Sequence, residues 1–176
     1  TDMAKKAAEA GIELFVMDDG WFGHRDDDTS SLGDWYANKK KLPNGVKGLS
    51  DKIHALGMKF GIWVEPEMIN EDSDLYREHP DWAMRIPGKP HSTGRNQMVI
   101  DLVNPEVRDY LVEVLSKLFE EGGIDYVKWD MNRTMTDVFS AYLPADRMGE
   151  CAHRYIMGFY EVIGKLTGKF PDILFE

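Results

Sequence analysis

The sequence predicts an α/β protein built on a parallel β-sheet, and three observations support this class. Short apolar runs alternate along the chain with segments of helical periodicity. The apolar runs are rich in β-branched and aromatic residues without strict polar alternation, which is typical of strands buried on both faces. A carboxylate follows each of these runs directly. A doubly wound sheet and a (β/α)8 barrel both fit this pattern.

The elements are predicted from these runs and from helix caps. The apolar runs predict strands at 12–17, 59–64, 97–100, 124–129 and 173–175. Helical spacing of apolar residues predicts helices over about 4–9, 46–56, 105–122 and 146–166. The third helix has the clearest boundaries, because Asn104-Pro105 suits a cap and first turn, while Gly122-Gly123 suits its end. The stretches 23–43 and 71–95 show neither period and are predicted to be long surface loops, which are more often functional than idle.

Composition excludes several functional classes. The 176 residues include 31 acidic and 21 basic side chains, a formal net charge of −10 that argues against a nucleic-acid surface. The single cysteine, Cys151, has no partner for an internal disulfide. No apolar run approaches the roughly 20 residues of a membrane helix. We therefore expect one cytoplasmic domain with neither nucleic acid nor membrane as a partner.

The acids that follow the apolar runs predict a single site. They are Asp18, Asp19, Glu65, Asp101, Asp130 and Glu176. The carboxyl ends of parallel strands form the active face of α/β folds, so these side chains are expected around one pocket. Any one of them alone is explained as a helix cap or as the point where a strand surfaces. Their repetition at successive strand ends favours a site.

The triplet Lys128-Trp129-Asp130 predicts a nucleophile. Side chains alternate along a strand, so Lys128 and Asp130 face the same side. A neighbouring positive charge favours the ionised carboxylate, the form a nucleophile requires. A buried structural ion pair is the alternative interpretation.

Acids beside aromatic residues favour a sugar ligand. Asp18 and Asp19 precede Gly20-Trp21 on a predicted turn, and vicinal carboxylates suit adjacent sugar hydroxyls. Trp63, just before Glu65, is predicted either to form an apolar wall for a pyranose ring or to pack in the core. Arg95 lies in a glycine-flanked loop, where it suits hydroxyl binding, acid pairing or a solvated surface.

Other motifs of catalysis are absent from the sequence. It contains no His-Glu-x-x-His pair, Gly-x-Ser-x-Gly elbow, phosphate loop or Cys-x-x-Cys, and we expect neither a metal nor a cofactor. Two alternatives stay open here. In a metal-dependent barrel, Asp18, Glu65 and Asp101 would hold magnesium and Lys128 would act as base, making the enzyme sensitive to chelators. Otherwise, the chain is a non-catalytic folding or assembly unit.

Four ordered motifs resemble the central catalytic region of the α-galactosidases of glycoside hydrolase family 36. They are Asp18-Asp19-Gly20-Trp21-Phe22-Gly23, Trp63-Val64-Glu65-Pro66-Glu67-Met68, Gly94-Arg95-Asn96-Gln97 and Lys128-Trp129-Asp130-Met131-Asn132-Arg133. The resemblance covers almost the whole chain and implies a (β/α)8 barrel with a retaining mechanism. It implies that Asp130 is the catalytic nucleophile. It also implies substrate-binding roles, for galactose and its hydroxyls, at Asp18, Asp19, Trp63, Arg95, Lys128 and Asn132.

The resemblance further implies that residues 1–176 form only about half of a barrel. The family's N-terminal β-sandwich, first barrel strand, later strands and acid/base aspartate are expected outside this chain. Retaining hydrolysis needs two carboxyl groups, so the isolated chain is expected to be nearly inactive on melibiose or raffinose. Open sheet edges also predict self-association, which a monodisperse monomer in light scattering would contradict.

Overall fold

Six strands and five helices make up the structure, a computed structural model that describes residues 2–176. The strands are β1 (Leu14–Met17), β2 (Lys59–Val64), β3 (Met68–Ile69), β4 (Met98–Val99), β5 (Tyr126–Trp129) and β6 (Leu174–Phe175). The helices are α1 (Asp2–Glu9), α2 (Gly45–His54), α3 (Asp74–Glu78), α4 (Pro105–Gly122) and α5 (Cys151–Lys169). Short 3₁₀ helices cover Pro80–Trp82 and Ala145–Glu150.

The main sheet is an arc of four parallel strands in the order β1-β2-β5-β6. Each of these strands pairs with the next parallel strand along the chain. A doubly wound sheet reverses its strand order at a switch point, whereas a barrel continues in one direction. The strand order therefore favours part of a (β/α)8 barrel, and the predicted α/β class with parallel strands is confirmed.

Helix α4 shows how local sequence defines an element. The Asn104 side chain accepts a hydrogen bond from the Glu106 amide at 3.0 Å, and Pro105 occupies the first turn. Gly123 ends the helix in the left-handed conformation with φ of 62°. The predicted span of 105–122 is confirmed by these caps.

The two faces of the sheet have different surroundings. One face packs against the helices: Trp129 contacts Phe159 of α5 and Phe175 contacts Phe119 of α4, each with ring centroids 5.9 Å apart. The opposite face carries side chains that alternate with these, including the aligned row Val16, Gly61 and Tyr126. At its carboxyl end this second face continues into the predicted site residues.

The predicted strand 97–100 exists in part, but its assignment to the parallel sheet is wrong. Its central residues form β4, which pairs antiparallel with β3 in a separate two-stranded sheet. A short apolar run buried on both faces has no period that reveals strand direction or partner. Asp101, which follows this run, therefore does not lie at the end of a parallel strand.

The segment 71–95 is not a continuous loop, because it contains α3 and a 3₁₀ turn. The Ser73 hydroxyl accepts from the Tyr76 amide at 3.0 Å, and the Asp34 carboxylate accepts from the amides of Asp74 and Leu75, each at 3.0 Å. Asp34 lies about 40 residues away in sequence, so this cap was outside the reach of local pattern analysis. By contrast, 23–43 contains neither helix nor regular strand, as predicted. Its predicted surface location is wrong for residues 30–35, which are buried beneath α3 and the aromatic side chains around Trp35.

The helices within residues 2–176 lack the combination of length and apolar character that crossing a bilayer requires.

Candidate active site

Asp130 directly follows β5, and both of its carboxylate oxygens accept hydrogen bonds. Its amide donates to the Val64 carbonyl at 2.9 Å, which continues the ladder between β5 and β2. Oδ2 accepts from Trp63 Nε1 at 3.0 Å and from Asn132 Nδ2 at 2.8 Å. Oδ1 accepts from the Met131 amide at 2.9 Å. Three N–H donors thus orient this carboxylate.

These contacts hold the pKa of Asp130 below its ordinary value. Partial burial acts in the opposite direction, raising the pKa, and is the largest single contribution. The hydrogen bonds from Trp63, Asn132 and Met131, together with the charge of Lys128, outweigh it. The net result is an ionised, oriented carboxylate at neutral pH.

Lys128 pairs directly with Asp18 rather than with Asp130. Its Nζ lies 3.1 Å from Asp18 Oδ2, and both side chains remain partly exposed. Lys128 belongs to β5 and Asp18 follows β1, so the ion pair spans the intervening strand β2. On β2, Trp63 is aligned with Lys128. Strand alternation predicts Lys128 and Asp130 on one side of the sheet. The ion pair with Lys128 brings Asp18 to that side as well.

Trp63 is a core residue whose ring does not form an open wall. It is 3% exposed and packs within an aromatic cluster that also includes Trp21, Phe22 and Trp35. Its contact with the site is through the indole N–H that donates to Asp130. Of the two interpretations of Trp63, core packing is the one that fits its ring in this structure. Its substrate-binding role stays a prediction.

Asp19 and Arg95 differ in how firmly their side chains are held. Asp19 is held by Arg25 through two hydrogen bonds of 2.8 and 2.7 Å. Arg95 and Asn96 form a two-residue turn with φ of 53° and 60°, closed by hydrogen bonds between Gly94 and Gln97. The Arg95 side chain is exposed, and within residues 2–176 its guanidinium makes neither a hydrogen bond nor an ion pair.

Glu65 is a buried acceptor that joins two site segments. It is 1% exposed, and its Oε1 accepts from the Asn132 amide at 2.6 Å and from Gln97 Nε2 at 2.7 Å. Burial raises its pKa, although these hydrogen bonds act in the opposite direction. Glu65 therefore supports the segment that follows Asp130.

Two further buried carboxylates, Glu67 and Asp101, bind other side chains. Glu67 accepts from the Tyr155 hydroxyl at 2.7 Å, and Asp101 accepts from Ser140. Burial raises the pKa of both. The donor set of a metal-dependent barrel, Asp18, Glu65 and Asp101, is not assembled, and no group of three or more potential ligands within residues 2–176 could hold a metal.

Sequence reasoning missed two residues that organise the site, Arg25 and Asn70. Arg25 precedes three aspartates in a loop without period, where a solvated arginine is the ordinary expectation. Asn70 follows the two-residue strand β3, and its sequence neighbourhood resembles a turn. The contacts of Asn70 are 26 to 45 residues away in sequence. Arg25 contacts Asp19 and Ser30 within six residues, but an irregular loop has no period that indicates which side chains it buries.

Comparison with known proteins relates this chain to one family. A sequence model of the family described as Melibiase matches residues 1–176. α-Galactosidase AgaA of Geobacillus stearothermophilus is 54% identical over 175 residues, covering 99% of this chain and 24% of AgaA. α-Galactosidase Mel36A of Lactobacillus acidophilus is 53% identical over 171 residues, covering 97% of this chain and 23% of Mel36A.

Solved structures of similar proteins agree with the fold. An α-galactosidase from Lactobacillus brevis superimposes with a TM-score of 0.98 at 50% identity, covering 99% of this chain and 24% of the other. A variant of the Geobacillus stearothermophilus enzyme AgaA, crystallised with raffinose, gives a TM-score of 0.97 at 53% identity with the same coverage.

The arc of parallel strands and the site at its carboxyl end are thus part of a (β/α)8 barrel of the type found in α-galactosidases. The chain spans about a quarter of the length of these relatives. It belongs to the melibiase family.

Proposed function

We propose that the protein containing this chain is a retaining α-galactosidase, in which this chain supplies the nucleophile and part of the galactose subsite. The observation that carries the proposal is Asp130, an ionised carboxylate oriented by three donors at the carboxyl end of a barrel strand. Variants of the relative AgaA have been crystallised with raffinose and with stachyose. These complexes support terminal α-linked galactose as the substrate class.

In the proposed first step, an Asp130 oxygen attacks the anomeric carbon and the glycosidic oxygen leaves. The pKa of Asp130 is depressed, so the attacking carboxylate needs no separate deprotonation. In the second step water releases the sugar, and the carboxylate is the leaving group. The donors on Oδ2 favour that departure because they stabilise the negative charge that returns to Asp130.

The second carboxyl group required by a retaining mechanism must be a proton donor. Within this chain, Asp18 is paired with Lys128, Asp19 with Arg25, and Glu65 is enclosed by its own donors. We therefore propose that the acid/base residue lies outside residues 1–176, as the family resemblance implies. Asp18 and Asp19 would instead accept hydrogen bonds from galactose hydroxyls.

The direct test is covalent trapping of the full-length protein with an activated, fluorinated α-galactosyl fluoride. Fluoride leaves without a proton donor, so a glycosyl ester should accumulate at one adduct per chain by intact mass, and peptide mapping should place it on Asp130. An adduct on another carboxylate would contradict the assignment. The same reagent with the corresponding glucosyl configuration serves as the control for sugar class.

Trp63→Phe is expected to move the acid limb of the kcat/KM profile for aryl α-galactosides to higher pH. The phenylalanine lacks the N–H that stabilises ionised Asp130, so the pKa of Asp130 should rise and more of the carboxylate be protonated in mildly acid solution. Loss of one hydrogen bond to a charged group is expected to lower kcat/KM by about 10–100-fold. Trp82→Phe, at a buried tryptophan that stacks on His79, is the matched control and should leave the acid limb in place. An unmoved limb in Trp63→Phe would argue against this coupling.

A further inference from the structure

Arg25 is a buried arginine in an otherwise acidic surface loop. It is 3% exposed, and all three of its guanidinium nitrogens donate hydrogen bonds. Nε and one terminal nitrogen reach the two oxygens of Asp19 at 2.8 and 2.7 Å. The other terminal nitrogen reaches the Ser30 carbonyl at 2.8 Å. Burying an arginine is costly unless its charge is paired. The two parallel hydrogen bonds to Asp19 pair that charge and fix the position of the Asp19 carboxylate.

Asp19 keeps acceptor capacity beyond this pair. Its side chain is 34% exposed, whereas the Arg25 side chain is enclosed. An ionised carboxylate has about four lone-pair sites, and the fork uses two of them. Asp19 is therefore an immobilised acceptor that still faces solvent at the carboxyl end of β1.

Asn70 connects this pair to the Arg95 turn. Asn70 is 0% exposed; its Oδ1 accepts from the Leu32 amide at 2.7 Å and from Arg25 at 3.3 Å. Its Nδ2 donates to the Asn96 carbonyl at 2.8 Å. A buried polar chain thus runs from Asp19 through Arg25 and Asn70 to the residue next to Arg95.

Arg25 also lies close to the support of the nucleophile. Its Cζ is 5.6 Å from the centroid of the Phe22 ring, in cation–π geometry. Phe22 stacks on Trp63 at 6.2 Å with an interplanar angle of 12°, and Trp63 donates to Asp130. The guanidinium therefore contacts structure on both the sugar-binding and the nucleophile side of the site.

We propose that Arg25 is a positioning residue that fixes Asp19 as the acceptor for one ring hydroxyl of the sugar, and so contributes to substrate specificity. The inference rests on the proposed α-galactosidase function. It assigns Arg25 no contact with substrate. Its effect on the reaction passes through the orientation of the Asp19 carboxylate.

The test is Arg25→Lys in the full-length protein, assayed on an aryl α-galactoside and on its monodeoxy analogues. Lysine keeps the positive charge but not the planar fork. We expect kcat/KM for the galactoside to fall by about 10–100-fold. The loss should shrink to within about threefold for the one analogue that lacks the hydroxyl accepted by Asp19, because the misplaced carboxylate then has no partner to lose.

Two comparisons make this test specific. Arg147→Lys is the matched control, since Arg147 forms a similar two-bond pair with Glu150 on an exposed 3₁₀ helix and should leave all substrates unaffected. In an Asp19→Asn background, Arg25→Lys should add less than about threefold further loss. An equal loss on every analogue, or full additivity with Asp19→Asn, would overturn the inference.

A second variant covers the case in which Arg25→Lys does not fold. Asn70→Ser removes the contacts to Arg25, Asn96 and the Leu32 amide while leaving the Arg25–Asp19 pair in place, and it should show the same analogue pattern at smaller size. A folded Asn70→Ser with a uniform loss on all analogues would also contradict the inference. An unmodified protein inactive on every α-galactoside would overturn the proposed function instead, so the two failures are distinguishable.

Discussion

Asp130→Ala in the full-length protein is expected to lower kcat/KM for aryl α-galactosides by on the order of 10⁴-fold or more. The substitution removes the attacking oxygen and leaves the indole N–H of Trp63 and the side-chain amide Nδ2 of Asn132 without their acceptor. The first bond-forming step then has no nucleophile on the protein. The measurement is steady-state kinetics, with circular dichroism to verify that the variant is folded.

Azide distinguishes a nucleophile from other roles of Asp130. In the alanine variant, azide is expected to attack the anomeric carbon from the face that Asp130 occupied, forming a C–N bond as the aryloxide leaves. Attack from that face gives β-galactosyl azide, which NMR identifies. An α-azide product would indicate that Asp130 is the acid/base residue and would contradict the assignment. Asp172→Ala, at an exposed aspartate between α5 and β6, is the control and should retain full activity without azide.

Gly158→Ala is expected to be among the most destabilising single substitutions in this chain. A Cβ at Gly158 would lie 2.1 Å from the carbonyl oxygen of Leu102 and 3.0 Å from its carbonyl carbon. Backbone atoms cannot rotate away as a side chain does, so α5 must shift outward. The free energy of unfolding should fall by about 1–3 kcal/mol or more. The displacement also draws Tyr155 away from Glu67.

Gly164→Ala is the matched control within the same helix. Nothing lies within 4 Å of a Cβ at that position, so the added methyl group costs no contact. Because alanine favours helix more than glycine does, the control should gain roughly 0.5–1 kcal/mol. Thermal unfolding of the two full-length variants should therefore show melting temperatures on opposite sides of the unmodified protein. Equal melting temperatures would contradict the close approach of α5 to Leu102.

Local sequence was sufficient for much of the fold. The run 59–64 forms β2 and the capped segment 105–122 forms α4, because burial and capping leave marks in neighbouring residues. The antiparallel pairing of β4 and the Asp34 cap of α3 were not predictable. Both depend on which distant segment lies alongside, and the residues themselves are compatible with several partners.

In the candidate site, too, some features could be predicted from local sequence and others could not. The shared face of Lys128 and Asp130 could be predicted, because side chains two residues apart on a strand lie on the same side. The pairing of Lys128 with Asp18 required the strand order, since β2 lies between them. Arg25 could not be found from its acidic neighbours, because its burial depends on Ser30, Asn70 and Asp19 meeting around it.

The register between β2 and β5 has a consequence for how this site can vary. Trp63 is aligned with Lys128, and Asp130 follows two residues further along the same face. These spacings follow from the sheet repeat of about 4.8 Å between strands rather than from loop conformation. Loops can lengthen without disturbing this row of side chains. A single-residue insertion within β5 would instead turn Lys128 and Asp130 towards the helices, so these strands tolerate substitution far better than any change in length.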